Sequence, residues 1–136
     1  MKQNTFPYSY WAKVLGLVLM LTGIFSFFAK YKRKGIYDIN ELAIGFSWGL
    51  MFIFFSKEKT DDEMIHTLKF KALARAMIIS FFFTHLYNYI FLNWQLKRVN
   101  GIILSISAYE FFALTLLIAT ASFYYLKRQA TINAAE

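Results

Sequence analysis

The residue best placed to do chemistry in this chain is Glu110, the one acid inside the apolar run from Ile102 to Leu126. A carboxylate near the centre of a bilayer costs about 3 kcal/mol on insertion scales, so it marks a candidate site by default. If neighbouring runs span Ala74–Trp94 and Ile102–Phe123, His85 and Glu110 differ in depth by only about 3 Å at 1.5 Å per residue. Asn88 lies one helical turn beyond His85, Ser80 and Thr84 flank the same broad face, and Ser107 sits one turn before Glu110. The spacing predicts a His85–Asn88–Glu110 polar cluster inside the bundle, able to hold a ligand or pass a proton. A second reading stays open: an acid hydrogen-bonded to His or Asn can simply fix helix register.

Other chemistries have less to work with. There is no Cys, which excludes thiol catalysis, disulfides and Cys-ligated zinc. The two histidines, His66 and His85, are nineteen residues apart on one predicted helix. That is about 28 Å, too far to share an ion, so no metal site and no cofactor is expected. No Ser stands in a nucleophile-elbow setting.

The elements that must position these residues are apolar helices. Hydrophobic residues make up 58% of the 136 and aromatics 21%, with sixteen Phe and a single Pro. A soluble domain of this size buries only about 60–70% of its surface and could not hide so much apolar area. A hydrocarbon core of about 30 Å needs roughly 20 residues of helix. Four runs fit: 10–29, 39–55, 72–94 and 102–126. They are continuous and lack two-residue alternation, which favours helices over barrel strands. The predicted fold is therefore all-α, a polytopic integral membrane protein with four transmembrane helices in an antiparallel bundle. The first run ends in Lys30-Tyr31-Lys32-Arg33-Lys34 with no cleavage site after it, a stop-transfer pattern that makes it a retained helix. Short links at 30–38 and 95–101 point to up-down-up-down topology in a single domain.

The third helix reads as longer than its span. Thr60-Asp61-Asp62-Glu63 has the form of a capping box, with acids in the first turn to meet the helix dipole. Helix is expected from about 61, some 34 residues or about 50 Å long, with about three turns projecting into water. Two readings of that segment follow. Its charges could simply suit a membrane-entering helix, or Asp61, Asp62, Glu63 and Lys69 could dock a cytosolic or membrane partner.

The formal charge of +7 sits at the ends of the apolar runs. That pattern suits anionic lipid headgroups rather than nucleic acid, with Lys30, Lys32, Arg33, Lys34, Lys71 and Arg75 as the candidate contacts. Nine Lys and Arg on the face of the N-terminus, the 56–71 segment and the C-terminus, against six on the other, favour both termini on the cytoplasmic side of a bacterial-type inner membrane. Gly45 and Gly49 form a small-xxx-small pattern, expected to serve a contact within the chain more than a homo-oligomer interface.

Asp62-Glu63, Leu68, Lys71-Ala72 and Ala76 together resemble the D-E-x-x-x-x-[IL]-x-x-K-A-x-x-x-A segment that precedes a transmembrane helix in uncharacterised small bacterial membrane proteins of three or four helices. Met64 stands where that segment carries Arg. The resemblance covers about fifteen residues, implies a cytoplasmic 56–71 and supplies no catalytic residue. Three functions are then expected in order. The first is a non-enzymatic regulatory or scaffold module contacting a partner through 57–71. The second is a small transporter, channel or ligand-sensing bundle using Glu110 and His85, and the third an intramembrane enzyme acting on a lipid or quinone.

Overall fold

The computed structural model describes residues 9–59, 63–95, 98–99 and 102–133. Four helices account for most of them: α1 (Ala12–Lys34), α2 (Ile39–Phe54), α3 (Glu63–Leu92) and α4 (Ala108–Asn133). Between α3 and α4 lies a two-residue antiparallel ribbon, β1 (Arg98–Val99) and β2 (Ile102–Ile103), with Arg98 opposite Ile103 and Val99 opposite Ile102. Two of the helical segments, Ala12–Lys34 and Ala108–Ile132, are long and apolar enough to cross a membrane, and α2 is a shorter apolar helix.

The helix ends have local causes. α1 carries Lys32, Arg33 and Lys34 in its last turn, where cations meet the negative end of the dipole. It stops at Gly35, whose φ of 65° is the left-handed conformation that glycine adopts without cost, and the Gly35 N–H donates to the Tyr31 carbonyl at 2.7 Å. α3 stops where Asn93 (φ 47°) and Trp94 (φ 60°) turn left-handed. For a side chain as bulky as Trp that conformation is strained, and its ring is held against His85 and Tyr89 at centroid distances of 5.5 and 6.3 Å.

The chain runs up and down as expected, and its lateral order is set by packing. α1 packs on α2, α2 on α4, and α4 on α3. They form a row, α1-α2-α4-α3, with α4 inserted between α2 and α3, and α2 lies parallel to α4. Asn40, at the start of α2, meets Ser107 just before α4, while Glu58, just past α2, meets Lys127 near the end of α4. Short links set helix direction but leave lateral order to the packing faces.

Those faces are set by small residues. In the α1–α2 seam, a Cβ added at Gly45 would fall 2.6 Å from the Gly23 Cα, and one at Gly16 would fall 2.5 Å from the Gly49 carbonyl oxygen. The Gly45–Gly49 pattern is thus spent on a contact within the chain, where backbones approach closely. The α3–α4 seam uses Ala72, Ala76 and Ser80 against Leu116 and Ala119, all buried. Ile65, Lys69, Ala72, Ala76 and Ser80 recur every three or four residues along one face of α3. α2 turns Leu50 and Phe54 into the same core as Leu116 and Phe123 of α4.

The long third helix is observed as one unbroken element of 30 residues, about 45 Å. Its first three turns do not stand free, however. Ile65, Lys69 and Ala72 are buried against the ends of α2 and α4, because α4 continues to Asn133 and supplies a wall there.

Candidate functional site

The predicted His85–Asn88–Glu110 cluster does not assemble. α4 begins at Ala108 rather than near Ile102, which puts Glu110 in the first turn of the helix instead of near its middle. The Ser107 N–H donates to Glu110 Oε2 at 2.8 Å, and the Glu110 N–H donates back to Ser107 Oγ at 3.3 Å. That reciprocal pair is a capping box, Ser107-Ala108-Tyr109-Glu110, closing two orphan donors at the helix start. The Ser107 hydroxyl then donates to Asn40 Oδ1 at 2.7 Å, tying the start of α4 to α2. Asn88 works nearby, accepting the Ile106 N–H at 3.2 Å. His85 takes no part in this. Its Nδ1 lies 3.0 Å from the Phe81 carbonyl on its own helix, and its ring stacks 4.0 Å from Phe81.

A second polar cluster, at the opposite end of the helices, was not anticipated. Glu58 is buried and takes Lys13 of α1 on one oxygen and Lys127 of α4 on the other, the latter at 2.8 Å. Burial pushes the Glu58 carboxyl up, but hydrogen bonds from Lys127 and Lys13 outweigh it and hold the carboxyl below its ordinary value. Beside it Lys69 is only 1% exposed. Its ammonium donates to the Phe54 and Ser56 carbonyls at 2.8 and 2.5 Å and stands over the Phe123 ring at 5.3 Å. Lys69 therefore caps the C-terminal end of α2, and its expected place on an exposed docking surface is corrected. A Lys embedded in charged sequence looks solvated, and only the 3–4 spacing with Ile65, Ala72 and Ala76 signals otherwise.

The remaining predicted contacts divide. Lys30 is engaged within the chain, bridging Asp38 at 2.7 Å and Glu41 at 2.6 Å across the α1–α2 turn. The Lys30 ammonium correspondingly holds the Asp38 carboxyl below its usual range. Lys32, Arg33, Lys34, Glu63, Lys71 and Arg75 are exposed. Asp61 and Asp62 lie outside the described residues.

The two clusters share a spacing. Seventeen residues separate Lys13 from Lys30, Glu41 from Glu58, and Glu110 from Lys127. At 1.5 Å per helical residue each interval is about 25 Å. None of the residues 14–29, 42–56 or 111–126 is charged. Between the layers the outward surface is mainly apolar: Phe25 and Phe28 on α1, Trp48 on α2, Ile78, Phe82 and Leu86 on α3, and Leu117 on α4 are all exposed, with Arg75, six residues beyond Lys69 on α3, as an exposed charge within it.

At the Glu110 end a half-open cleft of about 490 Å³ lies between the α1–α2 turn, α3, the ribbon and the start of α4. Tyr37, Ile39, Phe83, Tyr87 and Leu104 line it, and Glu110 is the only charged residue in its wall among the described residues. No group of three or more His, Cys, Asp and Glu that could hold a metal occurs among the described residues. No protein-family model, curated protein or solved structure matches the chain.

Proposed function

We propose that this chain is an integral membrane protein whose four helices all cross the bilayer of a bacterial-type inner membrane, and that it acts as a non-enzymatic regulatory or scaffold module. One observation carries the membrane reading. Two layers of interlocking ion pairs and caps stand about 25 Å apart, with an exposed apolar belt between them, and that is close to the hydrocarbon thickness a span must match. In water such a belt would be a large aggregation-prone patch. Polar groups in both layers have structural work: Glu58 and Lys69 close one end, while Lys30, Asn88 and Ser107 close the other. The surface left to a partner is the outer side of 57–71, where Glu63, Met64, Thr67 and Lys71 are exposed.

The cysteine-free sequence makes the test direct. Single cysteines at Ser9, Lys59 and Gln129 should react with an impermeant maleimide only from the cytoplasmic side, and those at Tyr37 and Gln95 only from the other. Labelling of Ser9 and Tyr37 from the same side would overturn the spanning reading. A photocrosslinker in place of Met64 should yield one discrete protein adduct that Glu63→Lys weakens. Adducts to lipid alone would count against the docking surface while leaving the topology intact.

A further inference from the structure

The cleft beside Glu110 combines two features that one class of ligand satisfies together. Among the described residues its wall is mainly apolar and carries three aromatic rings, from Tyr37, Phe83 and Tyr87, and a single carboxylate. Aromatic faces attract a cation within about 6 Å of the ring centroid. The carboxylate adds a charge-assisted hydrogen bond, roughly twice as strong as a neutral one. Oε2 of Glu110 is taken by the Ser107 N–H, and Oε1 has no hydrogen-bond partner among the described residues. A neutral apolar occupant would strip water from that oxygen and return nothing. An anion would be repelled. A cation with an apolar body restores what the carboxylate loses and fills the rest of the wall.

We propose that this cleft binds an ammonium-bearing amphiphile, its cationic nitrogen against Glu110 and the aromatic rings and its hydrocarbon body along Ile39, Phe83 and Leu104. The volume of about 490 Å³ falls in the range of small-molecule pockets, about 300–1,000 Å³. A ligand here would use the Glu110 oxygen that the capping box leaves without a partner among the described residues. The inference rests on the membrane reading for how the amphiphile arrives, and on the cleft alone for why it stays.

The test uses the full-length protein in lipid nanodiscs with two photoreactive probes of equal chain length, a diazirine-bearing alkylamine and the matching fatty acid, with adducts mapped by mass spectrometry. The amine should label cleft residues at least fivefold more than the acid. Glu110→Gln, which retains the cap, should bring the amine down to the level of the acid. Phe83→Trp, which fills the cleft and leaves the charge in place, should lower amine labelling as well. Equal labelling by the two probes in the wild type, or labelling by the amine undiminished in Glu110→Gln, would overturn the proposal. Labelling of Phe82 on the outer face of α3 by both probes reports immersion in the bilayer, so failure of the membrane reading is seen separately.

Discussion

At the residue scale, the acids of this chain differ by what surrounds them. Glu58 holds two ammoniums in a buried setting, and its carboxyl is depressed below the ordinary value of 4.5. A depressed folded-state value means that the triad adds stability fully above the unfolded value and loses it as pH falls through the folded one. Thermal stability in detergent should therefore fall below about pH 4.5. Glu58→Gln should remove that acid-side dependence and cost about 2 kcal/mol at neutral pH, less than a fully buried pair because Lys127 is one-third exposed. An unchanged pH profile in the variant would show that the triad is idle. Lys69→Met keeps the volume but strips the α2 carbonyls of their donor. A loss of about 2 kcal/mol in the same assay is expected, and no loss would remove the capping role. Glu110 was legible as unusual, but its place along α4 and its neighbours were not. The Ser107–Glu110 box is written in the sequence, but the apolar Ile102-Ile103-Leu104 drew the helix start six residues too early. Glu58 was illegible, since Lys57 and Lys59 on either side make it look like an ordinary solvated loop charge.

At the element scale, apolar runs gave the existence and approximate extent of all four helices, because long uncharged segments leave little else for the backbone to do. Lateral order was not readable, since it depends on which small-residue face meets which. Two glycine substitutions separate conformational from packing demands. Gly35→Ala places a Cβ in open space at a φ of 65° and should cost about 1 kcal/mol by denaturant unfolding in micelles. Gly45→Ala drives a Cβ into the Gly23 Cα and should cost about 3 kcal/mol, because a helix backbone cannot step aside as a side chain can. Equal effects at the two sites would mean that the α1–α2 seam is looser than described. The second pattern, Ala72–Ala76–Ser80 on α3, was half visible through Ala72 and Ala76, which were noticed for their resemblance and not for the seam they form.

For the whole molecule, the row α1-α2-α4-α3 is testable because no native thiol interferes. Asn40→Cys with Ser107→Cys places two sulfurs where side chains now meet at 2.7 Å, and copper-phenanthroline should join them within one chain. A disulfide that forms only between chains would contradict the insertion of α4 beside α2. The Glu58 triad has one more consequence. It draws one lysine from the start of α1 and another from near the end of α4, so it cannot close until the last helix has been made. During synthesis Glu58 waits with only half of its eventual charge partners. A chain cut short before Lys127 would leave that acid undercompensated, a mark that distinguishes unfinished molecules from finished ones.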